Sequence, residues 1–108
     1  MQRIDRYYLR PGKTEAYRRW LKKNDRVFRD HAPEGQTYLG TWFTVQGFGD
    51  YDVESRWELD DYAALGAGFG DHEFQTVMNE WDEYGDTSRS QQSVLMKSED
   101  DVRFPEGS

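Results

Sequence analysis

Two histidines, His31 and His72, are the side chains in this chain best suited to proton transfer near neutral pH. His31 falls on one helical face with Asn24, within a stripe that is otherwise apolar, so both should point toward a sheet. His72 directly follows Asp71, at the predicted start of a later helix. We therefore take His31 and His72 as candidate catalytic residues and Asn24 as a candidate ligand-binding residue.

Purely structural roles are the alternative for these three residues. Asn24 could satisfy a buried backbone group, and His31 could end a helix, where a cationic ring suits the helix dipole. His72 could be an exposed residue of a first helical turn. The sequence leaves both interpretations open.

Large aromatic side chains form the second candidate set. We expect Trp42, Trp57, Trp81 and Tyr7 to bind a flat aromatic ligand, because these rings combine an apolar face with a polar edge. Asn24, Trp57 or a tyrosine could also hold the oxygen of an enolate, with a histidine as the base. The alternative is that the rings only fill the core.

Other kinds of catalytic site find little support. The chain has no cysteine, which excludes disulfides, thiolate nucleophiles and thiolate metal sites. Asp71-His72-Glu73 lacks the i, i+4 spacing that places two ligands on one helical face, so no metal site is predicted. The glycine-rich run at residues 66–70 follows a predicted helix rather than a strand, so we interpret it as a break or lid hinge, not a phosphate loop. No cofactor is expected.

The charge distribution argues against nucleic acid as a partner. The net charge is −7, although residues 1–31 carry ten Lys and Arg against four acids. Residues 32–108 carry only four basic residues against seventeen acids. The basic residues lie mostly on the outer face of the first predicted helix, which is typical of a solvated surface. With no apolar run near about 18 residues and no secretory signal pattern, we expect a cytoplasmic protein without a membrane partner.

The first predicted elements are a strand over residues 3–9, a Pro11-Gly12 turn and a long helix. One stripe of that helix carries Tyr17, Trp20, Leu21, Asn24, Val27, Phe28 and His31, the spacing of a single helical face. Pro33 and Gly35 end it.

The remaining elements follow in the order strand, strand, helix, strand. Residues 36–45 and 51–58 predict a hairpin, with its turn at Gly47 and Gly49-Asp50. Asp60 is the expected cap of a short helix over 61–65. Asp71 should cap a second helix whose pattern runs to Tyr84, and residues 91–97 predict the last strand.

The order β-α-β-β-α-β predicts an α+β, ferredoxin-like sandwich with both helices on one face of the sheet. Residues 1–98 should form this single domain, and residues 99–108 an acidic, flexible tail. The first and third strands should be central. The charged face of the third strand, Asp52, Glu54, Arg56 and Glu58, then needs polar partners, and Arg3, Asp5 and Arg6 of the first strand are the candidates.

A half-solvated sheet with ring-rich edges (Tyr38, Trp42, Phe43) would favour pairing with a second copy of the chain. Two sheets face to face would close a barrel around a polar interior. We therefore predict a homodimer, a dimeric α+β barrel.

The run Arg6-Tyr7-Tyr8-Leu9-Arg10-Pro11-Gly12-Lys13, followed by Tyr17 and Trp20, resembles the opening of NIPSNAP-like members of the dimeric α+β barrel superfamily. Later landmarks are similar too: Leu39-Gly40-Thr41-Trp42, the Gly47 turn, Arg56-Trp57-Glu58, Asp60-Asp61, and Trp81 with Tyr84. The resemblance covers residues 3–96. It implies a cleft for a small ligand between the helices and the sheet of each subunit.

Three functions are compatible with that resemblance. The first is binding of a small hydrophobic or aromatic ligand without catalysis. The second is a cofactor-independent monooxygenase or polyketide cyclase. The third is haem binding or degradation, with Asn24, Trp57 and His72 as the residues involved. It is disfavoured because haem-degrading relatives carry an asparagine in the first strand, whereas Asn24 belongs to the first helix.

Overall fold

The computed structural model describes residues 1–45, 51–66, 68 and 70–102, and within them four antiparallel strands form one sheet. The elements are β1 Gln2–Tyr7, α1 Thr14–Asp30, β2 Gln36–Phe43, β3 Val53–Leu59, α2 His72–Asn79 and β4 Gln92–Met96, with short 3-10 helices at Tyr62–Gly66 and Trp81–Glu83. The strand order is β2-β3-β1-β4. The predicted ferredoxin-like α+β fold, with β1 and β3 in the centre, is therefore confirmed.

Helix α1 begins after a tight turn at Pro11 and Gly12. Gly12 has a φ of +76°, a left-handed conformation that glycine adopts without strain. The buried side chains of α1 are Tyr17, Trp20, Asn24 and Phe28, so the predicted stripe does face inward. The helix ends at His31, whose backbone N–H donates to the carbonyl of Val27.

Two predicted helix boundaries are wrong. Asp61, not Asp60, caps the 3-10 helix Tyr62–Gly66, because its carboxylate accepts from the Ala64 N–H at 3.1 Å. Helix α2 ends at Asn79 and does not continue to Tyr84. The chain there tightens into a 3-10 turn, in which backbone hydrogen bonds join residues three apart instead of four.

Two residues fix α2 and the turn behind it. Asp71 caps α2 as predicted, and its carboxylate accepts from the Phe74 N–H at 3.0 Å. Gly85 lies against the Trp81 ring, where a Cβ would come within 2.2 Å of ring carbons. The lack of a side chain at residue 85 therefore lets the indole pack flat against the backbone.

Arg3 and Asp5 lie on the helix side of the sheet, which corrects the prediction that they meet the charged face of β3. The register pairs Tyr7 with Val53 and Asp5 with Ser55, and side chains alternate between faces along each strand. Since Tyr7 is in the core, Asp5 and Arg3 share its face. Their polar groups therefore lie beneath the helices.

The opposite, open face of the sheet carries the charged side chains of β3. Of the three predicted partners only Arg6 is there, and it donates to Glu54 at 2.9 Å. Arg56 donates to the same carboxylate at 2.9 Å. Burial alone would raise the pKa of Glu54, but these two guanidinium groups lower it below its ordinary value. Ile4 is only 4% exposed among these long side chains.

An irregularity in β2, which forms one edge of the sheet, determines which face its aromatic side chains occupy. The register with β3 shifts between Tyr38 and Gly40, as in a β-bulge, so that Tyr38 and Thr41 both face the helices. Tyr38 is 5% exposed, contrary to the prediction that it lies in the bare ring-rich edge. Trp42 does lie on the open face and is 50% exposed.

Some predictions fall on residues outside the described part of the chain. These are the hairpin turn at Gly47 and Gly49-Asp50, two positions of the 66–70 run, and residues 103–108 of the tail. The domain boundary at residue 98 stays a prediction. In the described residues, none of the helices has the length and apolar character needed to cross a membrane.

Candidate functional site

A cavity of about 610 Å³ lies between the helices and the sheet. Its helix side is mostly apolar. The residues that line this side are Trp20, Leu21, Phe28, Phe74, Met78 and Trp81. Its sheet side carries the rings of Tyr38 and Trp57 together with a polar set formed by Arg3, Asp5, Tyr7, Thr41, Ser55 and Ser93. The cavity therefore has an aromatic wall over a polar floor.

A chain of five hydroxyl groups crosses the floor. The Tyr17 hydroxyl lies 2.5 Å from that of Tyr7, which lies 2.8 Å from the Ser55 hydroxyl. Ser55 lies 2.8 Å from Thr41, and Thr41 lies 2.5 Å from Tyr38. We call these five groups the hydroxyl chain. It joins α1, β1, β3 and β2.

The three phenols of the hydroxyl chain stay neutral over the ordinary pH range. Burial raises the pKa of Tyr7 to about 12. Burial, with the neighbouring Tyr7, raises the pKa of Tyr17 further, and burial also raises the pKa of Tyr38. These tyrosines can therefore donate hydrogen bonds to a ligand, but they do not supply a base at neutral pH.

A charged group lies beside the hydroxyl chain. The Asp5 carboxylate accepts from the Arg3 guanidinium at 3.2 Å and from the Ser93 hydroxyl at 2.7 Å. The Arg3 guanidinium lies 5.5 Å from the centre of the Trp57 ring. The ion pair is thus held between a ring and a hydroxyl at the floor of the cavity.

Three of the predicted site residues meet in this cavity: Tyr7, Trp57 and Trp81. The Tyr7 and Trp81 rings pack edge to face, with centroids 5.4 Å apart. Trp57 packs against Tyr38 with a centroid distance of 5.0 Å. These rings serve both the core and the cavity wall, so the two interpretations of the aromatic residues are not exclusive.

The other four predicted site residues do not line the cavity. The Asn24 amide donates to the Trp20 carbonyl at 2.9 Å, one helical turn back, which is the backbone role named as its alternative. Trp42 lies on the open face, beneath Arg56 at 5.2 Å. His72 is exposed in the first turn of α2. Their participation in binding or catalysis stays a prediction without support from this geometry.

His31 connects the two helices instead of entering the cavity. Its Nδ1 lies 2.5 Å from the Asp71 carboxylate and its Nε2 lies 3.1 Å from that of Glu73. The hydrogen bond with Asp71 raises the pKa of His31, and the charges of Asp71, Glu73 and Asp30 add to this. The pKa of Asp71 is lowered, mainly by the hydrogen bond from the Phe74 N–H and then by the hydrogen bond with His31.

Two solved structures share this architecture. One is an uncharacterized NIPSNAP domain protein from Burkholderia xenovorans, 19% identical, with a TM-score of 0.65 over 91% of this chain and 94% of its own. The other is an uncharacterized NIPSNAP-like domain protein from the same organism, 13% identical, with a TM-score of 0.64 over 96% and 90%. The fold is NIPSNAP-like. No protein-family model and no curated protein matches the chain.

The resemblance seen in the opening residues is therefore confirmed for the fold. The NIPSNAP-like fold places the Pro11-Gly12 turn between β1 and α1, as the sequence indicated. Tyr17 and Trp20 from that segment become part of the cavity wall.

Sequence reasoning missed most of the polar floor. Arg3 and Asp5 were assigned to the wrong face, although alternation from the ring at Tyr7 would have placed them correctly. Ser55 alternates with the charged residues of β3, which places it on the helix side, but a single serine gives no sequence signal of a site. The pairing of Thr41 with Tyr38 depends on the irregularity in β2, for which Gly40 is the only sequence signal.

Metals and haem find no fitting ligands here. Among the described residues, no three His, Asp or Glu side chains are grouped to hold a metal ion. Haem iron needs an axial ligand such as imidazole or tyrosinate. Neither histidine lines the cavity, and its tyrosines keep their protons because burial raises the pKa of Tyr7, Tyr17 and Tyr38. We derive no chemistry through haem, and independence from cofactors stays a prediction.

Replacement of His31 by Gln should destabilise the protein at low pH more than at high pH. The pKa of His31 is raised in the folded state, so its contribution is fully present below the unfolded value near about 6.5 and is lost as the pH rises through the folded value. The melting temperature should fall by up to a few degrees at about pH 5.5 and be unchanged at about pH 9. His72→Gln, at an exposed histidine without a described ion pair, is the matched control. Equal losses for His31→Gln at both pH values would contradict this assignment.

Proposed function

We propose that this protein binds a small, flat aromatic ligand in the cavity between its helices and its sheet. One observation carries the proposal: an aromatic wall of Trp20, Phe28, Phe74 and Trp81 faces a floor of hydroxyl groups. The wall would bury the rings of a ligand, and the floor would hold its polar edge.

The size of the cavity supports the same ligand class. A volume of about 610 Å³ lies within the range of about 300–1,000 Å³ usual for small-molecule sites. Met78, 38% exposed, lies at the helix side of the cavity and is flexible enough to adapt to a ligand. The buried rings around it are packed against one another and form the rigid part of the site.

A second candidate function is catalysis as a cofactor-independent monooxygenase or cyclase. The position of the Asp5 carboxylate favours this function. This carboxylate lines the cavity and lies opposite Ser55 in the sheet. In such an enzyme Asp5 would take the place of the histidines as the base, and neutral hydroxyls would stabilise the developing oxyanion. Binding without catalysis remains the primary proposal, because it needs the cavity alone.

We also propose that two copies of the chain pair through the open faces of their sheets. This face exposes Trp42 and Met96, 50% and 53% exposed, next to the partly buried Val94. Glu54 is already paired with Arg6 and Arg56 within one copy, and Glu58 with the N-terminal amine, so covering this face would leave neither carboxylate of the strand without a partner. Apolar side chains around a carboxylate that already has its partners favour a face-to-face contact.

Filling the cavity should prevent binding of an aromatic probe. We expect Met78→Trp to weaken the binding of 2-acetylnaphthalene by at least about tenfold, because the added indole occupies the space of the ligand rings. Val45→Trp, at a side chain that is 96% exposed and does not line the cavity, is the control and should bind as the original chain does. Isothermal titration calorimetry measures both. Equal affinity of the two variants would exclude the cavity as the binding site.

Sedimentation equilibrium at micromolar concentration should give twice the mass of one chain. Trp42→Glu should shift the protein to the monomer, because a carboxylate would then be desolvated in the contact. Tyr62→Glu changes another exposed ring, 63% exposed and outside the sheet, and should leave the dimer intact. A monomeric original chain would rule out the pairing.

A further inference from the structure

The hydroxyl chain contains one more proton than its own hydrogen bonds use. It has five hydroxyls and four bonds between them. Each hydroxyl has one proton and two acceptor lone pairs. Whatever the direction of the bonds, four protons therefore lie within the chain and one remains. The described residues offer these oxygens no other acceptor, so the remaining proton is available to a ligand.

Ser55 is the member best placed to present this proton. Tyr17, Tyr38 and Ser55 are all buried, at 2%, 5% and 7% exposed, so the position in the chain and not exposure distinguishes Ser55. Ser55 lies at the centre, lines the cavity and has Tyr7 and Thr41 as its two neighbours in the chain. If Tyr7 and Thr41 both donate to Ser55, the Ser55 oxygen accepts two hydrogen bonds and its own O–H points to neither of them. Two bonds that converge on one oxygen also polarise its O–H and strengthen it as a donor.

We propose that the Ser55 hydroxyl donates a hydrogen bond to an acceptor oxygen of the ligand, which makes the ligand an aromatic carbonyl compound such as an aryl ketone or a quinone. This inference rests on the proposed function, because the aromatic wall must hold the rings. It adds the polar group that the ligand carries and the residue that recognises it.

The charge next to Ser55 narrows the class of acceptor. Asp5 lies directly opposite Ser55 in the register and is already paired with Arg3, so this part of the floor has no net positive charge to hold an anionic carboxylate. A neutral carbonyl needs no such counter-charge. A ligand without an acceptor atom would leave the remaining proton of the chain without a partner at a buried site, which costs free energy. A neutral carbonyl oxygen accepts this proton and adds no charge to the site.

Infrared difference spectroscopy of bound 2-acetylnaphthalene, labelled with carbon-13 at the carbonyl, tests the hydrogen bond directly. In the complex the carbonyl stretch should lie at a lower frequency than in cyclohexane, where no donor exists. In Ser55→Ala the stretch should return toward the cyclohexane value, and the affinity should fall by up to about tenfold, the usual loss for one hydrogen bond.

Two further variants separate Ser55 from its neighbours. Thr41→Val keeps the Ser55 hydroxyl and its hydrogen bond with Tyr7, so the low frequency should persist. If Ser55→Ala does not fold, Ser55→Cys keeps nearly the same size with a weaker donor, and the shift should become smaller.

The outcomes distinguish the inference from the function on which it rests. An unshifted carbonyl in the bound state, or a shift that survives unchanged in Ser55→Ala or Ser55→Cys, overturns the role of Ser55 alone. Failure of the original chain to bind the probe at all overturns the proposed function and this inference together.

Discussion

The hydroxyl chain is the interaction on which the rest of the structure depends. Buried hydroxyls are tolerated only when they are hydrogen-bonded, and three of the four bonds here cross a boundary between elements. Tyr17 belongs to α1, Tyr7 to β1 and Ser55 to β3. Because these three bonds join the helix to β1, β1 to β3 and β3 to β2, the chain ties the helix to three strands and helps to fix their relative position.

The cavity is a consequence of the same arrangement. The helix rings of Phe28 and Phe74 pack onto the sheet at Tyr38 and Trp57, whereas the Arg3–Asp5 pair gives the cavity a charged boundary. The surrounding rings are packed edge to face or tilted, which holds the wall in place. A NIPSNAP-like fold thus acquires a site whose polarity changes from floor to wall, and a ligand with a polar edge on an aromatic body matches that change.

The fold could be predicted from the sequence because its signals are local and periodic. The stripe of α1, the Pro11-Gly12 turn and the alternation in β3 are each decided by residues close in the chain. The site was harder to predict. Thr41 and Tyr38 share a face only because of the irregularity in β2, and Asp5 lies opposite Ser55 only because of the register between β1 and β3. Polar residues within an apolar stripe were a weaker guide: Asn24 satisfies its own helix, and His31 pairs between helices.

Ultraviolet titration of tyrosinate is the most direct test of a buried chain of neutral hydroxyls. The pKa of Tyr17 lies well above its ordinary value because of burial, so Tyr17→Phe should leave the native signal between about pH 9 and 11 unchanged. In guanidinium, where burial is lost, the same variant should give one tyrosine fewer than the original seven. Circular dichroism checks that both proteins stay folded during the native titration. A native signal reduced by one ionising tyrosine would show that Tyr17 is not part of a buried hydroxyl chain.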